Sequence, residues 1–268
     1  MNERGLTLDK QMHLTPVWGV GTPIAGEFAS FVAASAGVDV AEVRSWDLSL
    51  FDLTPAAVIG ADQSLLASGR LDNQASCWAA TAALANSLNG GAHTSLIALF
   101  DHEEVGSEST SGAAGPLLEH VLERLCMSLG GTRDDFLVAL SASSCISADN
   151  AHSVHPNYPE RHEPGHRPVV NQGPAIKLNH NQRYATSPAT SAVAQRVFSA
   201  AGVPWQVFVS RNNMPCGSTI GPITATRLGI DTVDVDVPQL SMHSARELCG
   251  VHDPTWLAAG LQAYFAGA

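Results

Sequence analysis

An acidic segment with two adjacent glutamates is the part of this sequence best suited to chemistry. It runs from Asp101 to Ser107 and places Glu103 and Glu104 just after Thr94–Phe100, an apolar run of strand length. Open α/β sheets carry their sites at the carboxyl ends of strands. Adjacent glutamates there point in different directions, so one can bind a metal ion while the other holds a water molecule. A solvated acidic loop is the alternative interpretation of such a pair taken alone.

Three further polar residues lie at the ends of predicted elements. Asp72 lies at the start of a predicted helix, where it could bridge two cations or cap the helix. Asp149 follows the predicted strand Cys145–Ala148, and His243 follows the predicted strand Ile230–Val237. A histidine after a strand can also be a hydrogen-bonded structural residue.

Considered together, these side chains suit a pair of divalent cations. The four candidate ligands are Asp72, Glu104, Asp149 and His243. Each lies where a loop meets a helix or a strand of the same predicted sheet. A mixture of carboxylates and an imidazole is the donor set that Zn²⁺ prefers. The sequence therefore predicts a site for two Zn²⁺ ions or similar cations.

The elements that must position these residues alternate between helices and strands from about residue 70 onward. The predicted helices are Asp72–Leu88, Gly115–Leu129, a short helix capped by Thr132, one from Ser187-Pro188 to Gly202, and a terminal helix from Asp253-Pro254. The predicted strands are Thr94–Phe100, Cys145–Ala148, Trp205–Ser210 and Ile230–Val237. This alternation predicts an α/β fold with a mixed, mostly parallel sheet and helices on both faces.

Residues 1–65 have a different pattern and are predicted to form a separate β-rich lobe, with residues 66–268 as the main domain. Strands are expected at Met12–Val20, Ser45–Leu53 and Ala56–Ala61, around one helix that starts after Thr22-Pro23 and ends near Gly37. Within the main domain, residues 150–186 are rich in histidine and proline and show little periodicity. Such a long irregular segment is either functional or disordered.

Composition excludes several classes of partner. The chain of 268 residues has a formal net charge of −11 and only two lysines, Lys10 and Lys177, so a nucleic acid is not expected to bind. No apolar run approaches the roughly 18 residues that span a bilayer, so no membrane is expected either. The polar residues at Met1–Gly5 do not form a signal peptide, and the five cysteines show no C-x-x-C spacing. Both observations favour the reducing cytoplasm.

Seven blocks, spread in order along nearly the whole chain, share a known pattern. They are Gln11–Pro16, Arg70–Gln74, Phe100–Ser107, Ser147–Tyr158, Lys177–Tyr184, Pro215–Pro222 and Gln239–Glu247. In this order they resemble the M18 aminopeptidases (aspartyl aminopeptidases), within the wider clan of dinuclear zinc exopeptidases. The resemblance implies an exopeptidase-like α/β fold, and it makes residues 1–65 part of an inserted dimerisation lobe.

The resemblance also implies roles for the candidate site residues. Asp72 matches the carboxylate that bridges both zinc ions. Glu104 and His243 match the remaining ligands of one ion, and Asp149 matches a ligand of the other. Glu103 matches the general base, which would take a proton from water and deliver it to the departing amine.

Three further residues match substrate-binding positions of the family. His152 would steady the oxyanion, while Lys177 and Tyr184 belong to the substrate pocket. The family prefers an acidic N-terminal residue, and Lys177 would pair with that carboxylate unless it is an ordinary surface lysine. Cys216 has no neighbouring base in the sequence and is expected to shape a loop.

The family pattern begins upstream of Met1, where it carries a His-x-Asp motif whose histidine completes the second metal site. The segment Gly91-Ala92-His93-Thr94 is not that motif, because Ser95 stands where aspartate is required. Part of the dimerisation lobe is absent as well. The chain is therefore expected to be truncated at its N-terminus, by a start codon assigned too late, by natural or deliberate fragmentation, or as a degenerate subunit.

Three functions follow from these observations. The first is a zinc metallo-aminopeptidase that releases N-terminal Asp or Glu from peptides and, in the full-length family form, assembles into a homo-oligomer. The second is a catalytically impaired fragment or a non-catalytic assembly subunit of the same family. The third is a related deacylase, which His152 and the block Lys177–Tyr184 disfavour.

Overall fold

The computed structural model of the chain describes residues 5–87 and 93–267. Sequence predictions that fall on residues 1–4, on Leu88 and on Gly91-Ala92 lie outside the described residues. The chain divides into two compact units, Met1–Leu50 and Phe51–Ala268. The boundary between the two units lies after Leu50, earlier in the sequence than the predicted boundary between residues 65 and 66. The assignment of the first region to a dimerisation lobe stays a prediction.

The described part of the first unit is helical. It contains helix α1 (Lys10–His13), helix α2 (Glu27–Ala36) and a 3-10 turn at Val40–Glu42. Helix α2 starts after Gly26 rather than at Thr22-Pro23, and it ends as predicted at Gly37. The φ of Gly37 is 71°, a left-handed conformation that glycine adopts without a steric penalty.

The strands predicted at Met12–Val20 and Ser45–Leu53 are wrong, because no described residue there pairs in a ladder. At Met12 a local helix forms instead, and Asp9 caps it by accepting a hydrogen bond from the Met12 backbone N–H at 2.9 Å. Trp18 and Trp46 of these runs pack on α2. Trp46, for example, lies 5.9 Å from Phe28 between ring centroids. Apolar runs form strands only where a neighbouring strand can pair with them.

The second unit is built on a mixed sheet of seven strands. They are β1 (Ala57–Ile59), β2 (Leu65–Ser68), β3 (Ser144–His152), β4 (Ala175–Leu178), β5 (Gln206–Val209), β6 (Asp231–Leu240) and β7 (Glu247–Gly250). Their order is β1-β2-β7-β6-β4-β5, and β3 pairs with β6. The pairs β3–β6 and β4–β5 are parallel, and the other pairs are antiparallel. The predicted α/β class is confirmed, whereas β2, β4 and β7 are strands that the sequence did not predict.

Six helices accompany this sheet in the described residues. They are α3 (Leu71–Ala85), α4 (Leu117–Ser128), α5 (Arg133–Ser141), α6 (Pro188–Ala200), α7 (Gly221–Leu228) and α8 (Asp253–Phe265). All except α7 were predicted. Thr132 and Ser187 begin their helices with capping boxes, in which side chain and backbone groups satisfy each other. Among the helices of the described chain, none has the length and apolar character needed to cross a bilayer.

Strand β6 separates the core of this unit from its polar side. Val233, Val235 and Val237 are buried in the core with residues of α3, α6 and α8. Asp234 and Asp236 alternate with them and are fully buried at 0% exposure. Because successive side chains of a strand point to opposite faces, both aspartates lie on the face away from the valines.

The strand predicted at Thr94–Phe100 is wrong. Residues 93–100 have no regular structure, and no other described segment pairs with them. Their leucines remain accessible, with Leu96 37% and Leu99 54% exposed. An apolar run without a pairing partner cannot satisfy its backbone groups as a strand does. The acidic segment that follows is ordered by a turn of its own.

Candidate active site

Glu103 and Glu104 lie in a short 3-10 turn that spans Glu103–Val105. His102 precedes the turn with a φ of 66°, and the Ser107 backbone N–H donates to the His102 carbonyl at 2.8 Å. The turn leaves Glu103 half-buried and Glu104 exposed. The two adjacent carboxylates therefore occupy different environments.

Asp72 lies in the first turn of α3, but it is not the cap of that helix. Arg70 precedes the first residue of α3 with a φ of 59°, and the helical backbone is interrupted at Asp72, whose φ of −81° and ψ of 109° are not helical. The Asp72 carboxylate points elsewhere: Oδ1 accepts a hydrogen bond from Asn150 Nδ2 at 3.0 Å, and Oδ2 lies 3.2 Å from His243 Nε2. The capping role that the sequence left open for Asp72 is therefore wrong.

Asp149 lies on β3 and is held by a neighbouring amide. Its Oδ1 accepts a hydrogen bond from Asn73 Nδ2 at 2.7 Å. Burial raises the pKa of the Asp149 carboxyl, and the positive charge of Lys177 offsets part of that rise. Asn73 and Asn150 thus each hold one aspartate by an amide donor, which fixes two carboxylates beside the end of β3.

Three of the four predicted metal ligands converge closely. The candidate ligand atoms of Asp72, Glu104 and His243 all lie within 4.8 Å of one another. His243 Nε2 is 3.2 Å from Asp72 Oδ2 and 3.4 Å from Glu104 Oε2. Ligand atoms around a tetrahedral zinc ion, each about 2.0–2.1 Å from the metal, lie roughly 3.4 Å apart. The donor set and its spacing therefore fit one zinc ion, and Asp149 is not part of this group.

Crowding of carboxylates dominates the electrostatics of the site. Burial, together with the negative charges of Asp149, Glu104 and Asp72, raises the pKa of Glu103 to about 7. Burial also raises the pKa of Asp72, against the hydrogen bond from Asn150. The negative charge of each carboxylate disfavours ionisation of its neighbours unless a positive charge lies nearby. A divalent cation among them would supply that charge.

All the predicted site residues line a single cavity of about 270 Å³. They are Asp72, Glu103, Glu104, Asp149, His152, Lys177, Tyr184 and His243. Phe208, Gly217 and Met242 also contribute to its wall. The cavity thus combines an acidic cluster that fits a cation with aromatic and basic groups that could contact an organic ligand.

A family model described as "Aminopeptidase I zinc metalloprotease (M18)" matches residues 2–265 of the chain. The chain belongs to the M18 peptidase family. The resemblance seen in the seven sequence blocks is thereby confirmed over nearly the whole chain.

Curated M18 relatives are similar along almost all of this chain. A "Probable M18 family aminopeptidase 2" of Streptomyces coelicolor is 49% identical over 98% of the chain. Its counterpart in Mycobacterium leprae is 51% identical over 99% of the chain. The chain spans 62% of the length of each of these relatives.

Solved M18 structures have the same fold. The crystal structure of prApe1 has a TM-score of 0.91 at 31% identity, covering 98% of this chain and 59% of that one. The S. cerevisiae mApe1 dodecamer has a TM-score of 0.79 at 32% identity, covering 90% and 54%. An M18 aminopeptidase from Thermotoga maritima, at 21% identity and a TM-score of 0.75, shares the fold.

Lys177 of this M18 chain is buried, so the surface-lysine alternative is wrong. The residue is 6% exposed, and its ammonium forms an ion pair with Asp236. Nζ also donates to the Asn150 carbonyl at 3.3 Å and lies 4.4 Å from the ring centroid of Tyr184. Burial alone would lower the pKa of Lys177, but the Asp236 carboxylate outweighs it and the pKa is raised. Lys177 therefore remains charged at the cavity wall.

Glu247 is a site residue that sequence reasoning did not single out. It is 2% exposed, and its two carboxylate oxygens accept hydrogen bonds from two backbone N–H groups. Oε2 accepts from Asp72 at 2.8 Å and Oε1 accepts from His243 at 2.7 Å. One carboxylate thus fixes the backbone of two of the three converging side chains. The available signal was a glutamate four positions after the candidate histidine.

Asn73, Asn150 and Asp236 were also missed. The two asparagines directly follow Asp72 and Asp149 in the sequence, so an amide next to each candidate carboxylate was the signal. Asp236 could have been identified from the alternation of aspartate and valine in β6, which places an acid on the polar face of a buried strand. The Sγ atom of Cys216 lies 2.8 Å from the Oγ atom of Ser210. The predicted role of Cys216 in shaping a loop stays a prediction.

Proposed function

We propose that this chain forms the metal- and substrate-binding portion of a zinc metallo-aminopeptidase that releases N-terminal Asp or Glu from peptides. The observation that carries the proposal is the convergence of Asp72, Glu104 and His243 in one cavity. Membership of the M18 family supports a peptidase over other users of zinc. A deacylase of the wider clan has no comparable support.

The proposed metal centre uses four side chains in two groups. Asp72 would bridge two zinc ions, with Glu104 and His243 as the further ligands of one ion. Asp149 would hold the other ion from its place on β3. When bound, the zinc ions supply a Lewis acid that polarises the peptide carbonyl and makes water more acidic.

Glu103 is the proposed general base. Its carboxylate lines the cavity beside the ligand group without belonging to it, so its oxygens are available to a water molecule. Glu103 would take the proton of the attacking water and return it to the departing amine. His152 lines the same cavity, with its ring 6.4 Å from that of His243, and would donate a hydrogen bond to the oxyanion.

The proposed preference for an acidic first residue depends on Lys177 and Tyr184. An ammonium has three donors, and the described contacts of Lys177 to Asp236 and Asn150 use two of them. The third donor and the Tyr184 hydroxyl would pair with the carboxylate of an Asp or Glu side chain. Because Asp236 keeps Lys177 charged, this recognition would persist across the neutral pH range.

A catalytically impaired fragment or non-catalytic assembly subunit is the second proposal. Among the described residues, three side chains converge for the first zinc ion, whereas the second ion would have only Asp149 and the shared Asp72 as donors. Loss of one ion of a co-catalytic pair would reduce turnover strongly while leaving the first site filled. The chain's coverage of 62% of its relatives' length is compatible with either proposal.

Assembly and location are proposals as well. The mApe1 relative is a dodecamer, and we propose that the full-length form related to this chain is likewise a homo-oligomer. The five cysteines are all free thiols, which supports a cytoplasmic location. Residues 1–65 are proposed to belong to the dimerisation lobe of that assembly.

Metal content and peptide hydrolysis test the main proposal together. The purified chain is dialysed against Zn²⁺, its zinc is counted by mass spectrometry, and release of Asp from Asp-Ala-Ala-amide is compared with release of Ala from Ala-Ala-Ala-amide. We expect bound zinc and faster release of Asp. Zinc retained without hydrolysis would favour the impaired fragment. A chain that neither holds zinc nor cleaves either peptide would overturn the assignment.

A further inference from the structure

A second cavity adjoins the candidate active site and shares part of its wall. It has a volume of about 370 Å³, larger than that of the first cavity. His152, Tyr184, Phe208 and Gly217 line both cavities. A ligand anchored in the first cavity could therefore continue into the second past His152 and Tyr184.

The charge of the second cavity is opposite to that of the chain as a whole. Arg161, Arg211 and His155 line it, and none of its described lining residues carries a carboxylate. The chain has a formal net charge of −11, so a cavity without acidic residues is a distinct local environment. Arg211 is held in place by a hydrogen bond from its Nη1 to the Glu160 carbonyl. This leaves other guanidinium donors for an anion.

Two buried polar side chains of this cavity lack hydrogen-bond partners among the described residues. Gln239 is 1% exposed, and neither its Oε1 nor its Nε2 is paired. His162 is 7% exposed, and its Nδ1 is unpaired while Nε2 donates to the His152 carbonyl at 3.0 Å. Buried polar groups are costly to leave unpaired. A peptide group offers both a donor and an acceptor, which is the complement of this set.

We infer that the second cavity binds a carboxylate carried by the peptide beyond its first residue. The inference rests on the proposed function, since it extends the same peptide from the first cavity into the second. The arginines would pair with the anion, while Gln239 and His162 would pair with the peptide backbone. The carboxylate could belong to an acidic side chain or to the C-terminus of a short peptide, because both have the same chemistry.

Binding of N-acetylated peptides tests this inference without hydrolysis, since an aminopeptidase requires a free amine. The zinc-saturated chain is titrated calorimetrically with acetyl-Ala-Glu-Ala-amide and with acetyl-Ala-Gln-Ala-amide. A second pair compares acetyl-Ala-Ala-Ala with its C-terminal amide. We expect the carboxylate in at least one pair to strengthen binding about tenfold, as a charge-assisted hydrogen bond does. The pair that shows the effect identifies the source of the carboxylate.

Substitutions of the two arginines test whether the carboxylate binds in the second cavity. Arg161→Met and Arg211→Met, singly and together, should remove the advantage of the carboxylate peptide. Arg124→Met, on an exposed position of α4, removes the same charge and should leave the advantage intact. Because Arg161 is exposed, its single variant should fold even if the double variant does not. Circular dichroism checks each fold.

Equal binding within both peptide pairs would overturn the inference. So would an advantage that persists in the Arg161→Met and Arg211→Met variants, since the carboxylate would then be binding at the metal centre. Hydrolysis of Asp-Ala-Ala-amide and zinc content are measured on the same samples. A chain that hydrolyses this peptide but ignores the carboxylate refutes only the second-cavity inference, whereas a chain without zinc or hydrolysis refutes the proposed function.

Discussion

The candidate active site has a buried half and an exposed half, and the two are held in place by different means. In the buried half, Asp72 accepts a hydrogen bond from Asn150 of β3, and Asp149 accepts one from Asn73 of α3. In the exposed half, the side chains of Glu104 and His243 are each 57% exposed, against 9% for Asp72. Side-chain hydrogen bonds therefore fix the buried candidate ligands, whereas the exposed candidate ligands depend on the backbone of their loops.

The backbone of the exposed half has unusual conformations. His102, just before the glutamate pair, has a φ of 66°, and His243 itself has a φ of 63°. Residues other than glycine adopt such conformations only where the surroundings enforce them, often at functional sites. For His243 the enforcing contact is the hydrogen bond from its N–H to Glu247. The buried carboxylates are thus positioned by residues of β3 and α3. The loop that carries His243 is positioned by its hydrogen bond to Glu247.

The largest expected effect distinguishes the two adjacent glutamates. Glu103→Gln should lower kcat for Asp-Ala-Ala-amide by about 10³-fold and leave zinc content unchanged, since a general base contributes about 10²–10⁴-fold. Glu104→Gln is the matched comparison and should lose zinc. Zinc counting and steady-state kinetics on both variants provide the measurement. Loss of zinc from Glu103→Gln would mean that the two roles are exchanged.

The next largest expected effect is a loss of stability when the buried ion pair between Lys177 and Asp236 is broken. Lys177→Met leaves the Asp236 carboxylate buried without its partner, which should lower the free energy of unfolding by about 3–5 kcal/mol. Urea denaturation measures this change. Lys10→Met, the only other lysine, should cost less than about 0.5 kcal/mol. Equal stabilities of the two variants would contradict the importance of the Lys177–Asp236 pair.

A smaller effect, on zinc affinity, is expected when Glu247 is changed. Glu247 accepts backbone hydrogen bonds from Asp72 in the buried half and from His243 in the exposed half. Glu247→Gln keeps the shape of the side chain but replaces one acceptor oxygen with an NH2 group, which cannot accept from a backbone N–H. One of the two backbone hydrogen bonds is therefore lost, and zinc affinity should fall about 10–100-fold. Competition with a zinc-binding dye gives the affinity. Glu108→Gln, at an exposed position just past the glutamate turn, serves as the control. If zinc affinity is the same in both variants, Glu247 does not position the exposed candidate ligands.

The smallest effect is expected outside the site, in the unpaired segment before the glutamate turn. Leu99→Ala removes a side chain that is 54% exposed and should change the free energy of unfolding by less than about 0.5 kcal/mol. Leu257→Ala, at a fully buried core position, should cost about 2–5 kcal/mol. Thermal or urea unfolding of both variants tests the contrast. A large cost at Leu99 would show that this segment packs more tightly than its exposure indicates.

Local signals were enough to predict most helices and several strands. The capping boxes at Thr132 and Ser187 and the glycine at Gly37 mark helix ends through contacts within a few residues. The valine repeat of β6 likewise predicts a strand buried on one face. The runs Met12–Val20 and Thr94–Phe100 failed as strands because pairing depends on distant segments, which composition does not reveal.

The candidate site was predictable where residue type and position coincide with a junction of elements. Every predicted site residue lines the same cavity, although their individual roles stay predictions. Glu247 and Asp236 were missed because their importance comes from burial and from partners far away in sequence. Lys177 shows the same difficulty, since nothing near it in the sequence distinguishes a buried ion pair from a surface charge.

The hydrogen bond between Glu247 and Asp72 joins positions that are 175 residues apart. A nascent chain leaving the ribosome therefore makes its α3 carboxylate long before the glutamate that anchors it exists. Until that glutamate is synthesised and β7 has formed, the proposed zinc ligands cannot be held together. Incomplete chains would accordingly lack the one carboxylate that anchors the backbone of both Asp72 and His243.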